Sequence, residues 1–282
     1  MSCLPILSLY YHTCDVNYRV PLRGNQLLDF KNESLFQGKY EFPHIGYKPE
    51  LAPPLEDGWG CCKLFRAADG EMMLEEFFCD AKDQEGKALP PDKARGVVLL
   101  LVGLGDSVEK NGHVAAHLAS KGFSVHGMDY PGYGHSQRDA ATGSNYLPGM
   151  VRDWGTDVCG AVIHWASQVK TRYPEGMKMF VVGPSIGGST ALRVCIEAPH
   201  IFNGAVLLCP AIQHEGLAIL KFLAPVIAFL FPRLPVGAIG DDDIGSKNLA
   251  NAERITQDRW RFNQPPFART VTSSTSLQRL FV

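Results

Sequence analysis

From residue 96 onward, mostly apolar runs alternate along the chain with segments of helical pattern. The apolar runs are Gly96 to Val102, Phe123 to Met128, Lys178 to Gly183 and Gly204 to Cys209. Helical segments are predicted at about 112–120, 147–172 and 186–197. Runs that are apolar on both faces suit parallel strands covered by helices, and glycine-rich turns follow the first two runs. The pattern therefore predicts an α/β fold with one doubly wound, mostly parallel sheet.

Two further β-rich runs lie upstream of this sheet. Cys62 to Arg66 and Met72 to Cys79 flank the segment Ala68-Asp69-Gly70, and an Asp-Gly turn between such runs predicts a hairpin. Residues 1–57 contain proline, glycine and aromatic side chains without a clear period. We interpret residues 1–57 as an N-terminal extension of unknown role, and residues 58–282 as the folded domain.

Composition narrows the class of protein. A chain of 282 residues with 45% hydrophobic content suits one large domain with a sizeable core. The net charge of −2 offers no basic face for nucleic acid, so no nucleic-acid partner is predicted.

The eight cysteines contain no C-x-x-C pair and are interpreted as reduced and mostly buried, which favours a cytoplasmic location. No metal or cofactor is predicted. An apolar patch near the N-terminus lacks a preceding basic residue, so no signal peptide is expected.

The segment between the third apolar run and the following helix carries the most specific chemistry. It reads Gly183-Pro184-Ser185-Ile186-Gly187, a G-x-S-x-G pattern in which a sharp turn presents a nucleophilic serine. Small residues after Ser185 would let the helix approach the strand closely. With 28 glycines in the chain, an ordinary strand-to-helix turn is the alternative. A serine nucleophile also needs a histidine base and an acid that orients it.

A second glycine-rich segment, residues 102–106, follows the first strand. Negative charge that develops on a tetrahedral intermediate requires two preorganised N–H donors. The main-chain amides of Ile186 and Leu104 are the candidates for this oxyanion hole, and a plain glycine turn is the alternative.

These motifs together resemble the monoacylglycerol lipase and serine aminopeptidase-like (S33) branch of the α/β-hydrolases. The matching stretches, in chain order, are Gly96 to Gly105, Asp129 to Ser136, the G-x-S-x-G segment and Gly204 to Ala211. The resemblance covers about residues 59–282. It implies a serine hydrolase that cleaves carboxylic esters, with monoacylglycerol or a similar lipid ester as substrate. Val102 and Pro184 stand where the family usually has histidine. Because the oxyanion donors are main-chain groups, neither change argues against catalysis.

The apolar stretch 217–231 follows the fourth strand. As a helix it would measure about 22 Å, too short for the roughly 30 Å hydrocarbon core of a bilayer. In the resembling lipases this region is a lid over the acyl pocket, so we expect an inserted lid at about 212–250 that could rest on a membrane surface. A core helix buried on all sides is the alternative.

No catalytic acid or histidine is assigned from the sequence. After Ser185 the histidines are His200 and His214, which lie beside a core strand, and the acidic run 241–243 falls where the lid returns. The resemblance implies that the last two strands, with the acid and the histidine on their loops, lie beyond Val282. Without those strands, the run that begins at Gly204 is expected to form an exposed sheet edge.

Three functional interpretations therefore stay open. The first is a lipid-ester hydrolase that acts through an acyl-enzyme on Ser185. The second is a truncated, non-catalytic lipid-binding pseudoenzyme, and the third is a peptidase or small-ester esterase on the same fold. The location predicted for all three is cytoplasmic, with peripheral membrane contact through the lid, and the sequence does not determine the oligomeric state.

Overall fold

The computed structural model of the chain describes residues 19–22, 26–29, 58–59, 61–66, 73–134, 136, 151–212, 218–232, 234, 236 and 266–278. The strands are β1 (Arg19–Leu22), β2 (Gln26–Asp29), β3 (Cys61–Arg66), β4 (Met73–Cys79), β5 (Gly96–Leu100), β6 (Phe123–Met128), β7 (Met179–Pro184) and β8 (Gly204–Leu208). The α-helices are α1 (Gly112–Ser120), α2 (Gly160–Lys170), α3 (Ile186–Glu197), α4 (Ala218–Leu230) and α5 (Ala268–Gln278).

Six strands form one sheet in the order β3-β4-β6-β5-β7-β8. The last four are parallel to one another, whereas β3 and β4 form a hairpin at one edge and β4 pairs antiparallel with β6. The central strand β5 is buried at all five positions, as expected of a strand with helices on both faces. The predicted doubly wound, mostly parallel sheet and its hairpin are thereby confirmed.

The order of the strands fixes where a site can form. The chain goes from β5 to its neighbour β6, then returns across β5 to β7 on the other side. Since such crossovers are right-handed, α1 and α2 lie on opposite faces of the sheet. The crevice at this switch point opens at the carboxyl ends of β5 and β7. The loop that contains Leu104 and the turn that contains Ser185 follow directly from these two strand ends.

Two element boundaries differ from the sequence-based prediction. The helix expected over 147–172 has its α-helical part at Gly160–Lys170, preceded by a wide π-helical turn at Trp154–Cys159. Residues 151–153 are not helical, because the Asp153 side chain accepts a hydrogen bond from the Thr156 amide (2.9 Å) and caps the turn there. Residues 147–150 lie outside the described residues.

The fourth strand also ends one residue early. It stops at Leu208, because Cys209 adopts a left-handed conformation (φ 40°) and turns the chain back toward α3. Cys209 is exposed and Cys195 is partly buried, so these two depart from the expectation of mostly buried cysteines. Cys79 and Cys159 are buried, as expected.

In the described part of the chain, no strand pairs with the outer side of β8. Val206 and Leu208 on this strand are 50% and 49% exposed, in contrast to the buried strand β5. β8 therefore forms the exposed, apolar sheet edge that was expected of the run from Gly204.

Helix α4 follows β8 in the region expected to form a lid. Leu223, Val226 and Phe229 on this helix are exposed, while Ala228 is buried. The alternative of a core helix buried on all sides is therefore wrong. The remainder of the expected lid, residues 213–217, 233, 235 and 237–250, lies outside the described residues.

Helix α5 and the β1–β2 pair were not predicted. Helix α5 packs against α4, α3 and the turn at Trp154–Cys159. The Ala268 amide donates to the Leu234 carbonyl (2.8 Å), so the start of α5 is hydrogen-bonded to the segment that follows α4. β1 and β2 form a separate antiparallel pair within residues 1–57.

Candidate active site

Ser185 lies at the junction of β7 and α3 in a strained conformation. As the N-cap residue of α3 it has φ 52° and ψ −123°, and a non-glycine residue held at positive φ costs about 1–3 kcal/mol. Main-chain hydrogen bonds hold this conformation. The Ser185 amide donates to the Leu208 carbonyl (2.9 Å), and the Ser185 carbonyl accepts from the amides of Gly188 and Ala211 (3.0 Å each). Ser185 itself is exposed at the carboxyl edge of the sheet.

The two glycines of the G-x-S-x-G segment are required by close main-chain contacts. A Cβ on Gly183 would lie less than 3.0 Å from the main chain of Gly187 and Gly188. A Cβ on Gly187 would lie equally close to the Val102 carbonyl oxygen. Neither glycine has a positive φ. Glycine is therefore required at both positions because a side chain would overlap the neighbouring main chain, and not because of the backbone conformation. The contact between Gly187 and Val102 also joins the start of α3 to the end of β5.

This contact brings the two candidate oxyanion donors into neighbouring segments. Ile186 is the first residue of α3, so its amide has no carbonyl partner within the helix. Leu104, which is 39% exposed, lies in a turn closed by a hydrogen bond from the Asp106 amide to the Gly103 carbonyl (3.3 Å). Neither the Ile186 nor the Leu104 amide donates to any residue that the structure describes. The helix dipole adds positive potential at the Ile186 amide.

A buried carboxylate supports the loop that contains Leu104. Asp129, at the end of β6, accepts a hydrogen bond from the Val108 amide (2.6 Å). Gly134 packs directly on this carboxylate, where a Cβ would overlap it. Ser136 in turn accepts a hydrogen bond from the Glu75 amide (2.7 Å), which ties the same segment to β4. The sequence singled out this segment only through the family resemblance, and the structure gives it a supporting role beside the site.

The remaining candidate acids and bases do not join Ser185 in the described residues. His200 is exposed and follows the far end of α3, a helix of 12 residues or about 18 Å. Its carbonyl accepts a hydrogen bond from Lys170 Nζ (2.6 Å). His214 and the acidic run 241–243 lie outside the described residues. Ser185 Oγ makes no hydrogen bond with any residue whose side chain is described.

A second group of ionisable side chains lies between β4 and β6. Glu76 is fully buried and accepts hydrogen bonds from Arg172 (2.6 and 3.0 Å), and its Oε1 lies 2.7 Å from His126 Nδ1. Burial acts to raise the pKa of Glu76, but hydrogen bonds with His126 and Arg172 outweigh it and lower the pKa to about 2. Arg172 lies between the end of α2 and the start of β7, whereas Ser185 follows the end of β7. This group therefore fastens the end of α2 to the sheet and is not part of the Ser185 site.

A serine at a strained strand-to-helix turn, on a mostly parallel sheet with a hairpin edge, defines the α/β-hydrolase fold. Residues 92–279, about two thirds of the chain, match the family described as serine aminopeptidase, S33. The chain belongs to this family.

Known proteins agree with this assignment. Monoglyceride lipase of Mus musculus is 25% identical over 172 residues, which make up 60% of this chain and 53% of that protein. The chain thus spans about half the length of the curated relatives it matches. The fold is similar to a thermostable carboxyl esterase from Bacillus coagulans solved with glycerol (TM-score 0.60, 15% identity, 78% of this chain and 73% of that one). It is also similar to a soluble variant of Saccharomyces cerevisiae monoglyceride lipase solved with a substrate analogue (TM-score 0.58, 18% identity, 82% and 70%).

Among the described residues, no helix combines the length and the apolar character that a bilayer span requires.

Proposed function

We propose that this chain carries the nucleophile and the oxyanion hole of a serine hydrolase that cleaves carboxylic esters, with monoacylglycerol or a similar lipid ester as substrate. The observation that carries the proposal is the strained Ser185, held at φ 52° beside two main-chain segments whose amides, at Ile186 and Leu104, lack partners among the described residues. Strain that surrounding hydrogen bonds maintain is typical of functional sites.

In the proposed reaction, Ser185 Oγ attacks the ester carbonyl carbon while a general base takes its proton. The carbonyl oxygen becomes an anion, which the Ile186 and Leu104 amides stabilise. Collapse of this intermediate breaks the ester bond, and the leaving alcohol takes up the proton. Water then attacks the acyl-Ser185 ester through the same steps and releases the carboxylic acid. The base and the acid that orients it are not assigned to described residues.

Two observations support a lipid ester as substrate. Curated relatives are monoglyceride lipases, although this chain covers about half of their length. Helix α4 presents exposed apolar side chains, with Phe229 exposed to 78% and Val226 to 54%. We propose that α4 is part of a lid that accepts an acyl chain and rests on a membrane surface from the cytoplasmic side.

A non-catalytic lipid-binding protein is the second candidate. It is favoured by one observation: no described carboxylate or imidazole forms a hydrogen bond with Ser185 Oγ. Such a protein would keep the apolar surface of α4 and bind a monoacylglycerol without turnover. A peptidase or small-ester esterase would use the same site and differ only in its substrate. Activity assays with long-chain monoacylglycerol, short-chain ester and aminoacyl amide substrates separate these possibilities.

A fluorophosphonate probe tests the proposal, because it forms a covalent bond only with an activated serine. Catalysis by this chain alone requires that the base lies among its residues outside the described ranges, and in that case we expect labelling of the 282-residue chain and no labelling of Ser185→Ala. Ser189→Ala is the matched control, since Ser189 lies one turn further along α3, is fully buried and has no hydrogen-bond partner for Oγ among the described residues. If the folded chain is not labelled, catalysis by this chain is refuted. Monoacylglycerol binding that Ser185→Ala leaves unchanged would then support the second candidate.

A further inference from the structure

Behind the candidate active site lie three buried side chains to which the proposed mechanism gives no role. Tyr130, Trp154 and Thr190 are each at most 1% exposed, and they come from three different parts of the chain. Trp154 Nε1–H donates to Thr190 Oγ1 (2.9 Å), and Thr190 Oγ1–H donates to the Ile186 carbonyl (2.9 Å). The Tyr130 ring stands edge-on to Trp154, with ring centroids 5.7 Å apart.

The hydroxyl of Tyr130 is buried beside this group and has no hydrogen-bond partner among the described residues. Burial raises the pKa of Tyr130, and the neighbouring Thr190 hydroxyl and Val102 main chain oppose that effect. The link between Tyr130 and the group is therefore the edge-on ring contact with Trp154.

The group ends at one of the two segments that carry the candidate oxyanion donors, because it reaches the Ile186 carbonyl in the first turn of α3. The close contact between Gly187 and Val102 places this turn against the end of β5, two residues before Leu104. A single point of contact allows rotation of α3, and the hydrogen bond from Trp154 to Thr190 opposes this rotation.

We propose that Trp154 and Thr190, with Tyr130 packed against Trp154, are positioning residues that hold the Ile186 amide in a fixed placement relative to the Leu104 amide. The proposal rests on the proposed function, because this placement matters for an oxyanion that both amides bind. Oxyanion donors act at about 2.7–3.1 Å, and a displacement of about 1 Å lowers the rate by about 100-fold. The three side chains contact no substrate and act only through the main chain.

Chemical shifts of the two amides test the positioning directly and need no catalysis. In ¹⁵N-labelled 282-residue protein, we expect Trp154→Phe and Thr190→Val to move the Ile186 and Leu104 cross-peaks, and Thr190→Ser to restore them. Trp165→Phe is the matched control, because Trp165 is equally buried but its Nε1 has no hydrogen-bond partner among the described residues. Unmoved amides in Trp154→Phe, or equal movement in Trp165→Phe, would overturn the proposal.

The rate of fluorophosphonate labelling is the second readout. We expect Trp154→Phe to lower the maximal labelling rate at Ser185 by about 10-fold to 100-fold without changing the probe concentration for half-maximal rate. A change in that concentration alone would contradict a positioning role. If the unmodified chain is not labelled, the proposed hydrolase function fails, and the amide shifts still decide the positioning. If Thr190→Val does not fold, both measurements are made on Trp154→Phe alone.

Discussion

The contact between Gly187 and the end of β5 leads to a quantitative prediction for Gly187→Ala. The added Cβ would overlap the Val102 carbonyl oxygen and lie 3.1 Å from the Val102 carbonyl carbon. Both atoms belong to the main chain of a buried segment, so no flexible side chain can move away. Forcing a methyl group into such a space costs about 1–3 kcal/mol. The substitution should also separate α3 from β5 and therefore move the Ile186 amide away from the Leu104 amide.

Urea denaturation followed by tryptophan fluorescence measures this cost. The matched control is Gly160→Ala at the start of α2, where the new Cβ would approach nothing closer than the Gly155 carbonyl oxygen at 3.8 Å. There the higher helix propensity of alanine, up to about 1 kcal/mol, favours the variant. We expect Gly187→Ala to lower the free energy of unfolding and Gly160→Ala to leave it unchanged or raise it. Equal stabilities for the two variants would refute the argument from close packing.

Three further predictions follow from the described contacts. The pKa of Glu76 is lowered from 4.5 to about 2, so its stabilisation is present above pH 4.5 and is lost as the pH falls toward 2. Glu76→Gln should accordingly cost about 3–5 kcal/mol of unfolding free energy, whereas Glu197→Gln, in a partly exposed ion pair, should cost under about 1 kcal/mol. Phe229→Ser should weaken liposome co-sedimentation and leave the melting temperature unchanged, because this side chain is 78% exposed. Asp129→Asn should lower both stability and labelling of Ser185, since the Val108 amide loses a charged acceptor.

The sequence predicted those elements whose pattern is local. Helices α1 and α3 have the predicted bounds, and the hairpin of β3 and β4 forms on either side of the Asp-Gly segment. The strained turn at Ser185 and the need for small residues after it were also predictable, because strand, turn chemistry and helix agree there.

Tertiary contacts determine the elements that the sequence did not predict. Helix α5 is rich in serine and threonine and has little apolar periodicity. It is held by hydrogen bonds to distant residues, such as the bond from the Val151 amide to Thr270 Oγ1 (2.9 Å). The group of Tyr130, Trp154 and Thr190 could not be predicted from local sequence pattern either, since 60 residues separate its first and last members.

Ser185 is hydrogen-bonded to an exposed edge strand of the sheet. The Ser185 amide donates to Leu208 at the end of β8, and the Ser185 carbonyl accepts from Ala211, just beyond that strand. These bonds help to maintain the strained conformation of Ser185 at φ 52°. β8 has an outer side that no described strand covers, and edge strands of this kind open more easily than central ones. Opening of β8 would break these hydrogen bonds and release Ser185 from its strained conformation, so the proposed nucleophile depends on the stability of this sheet edge.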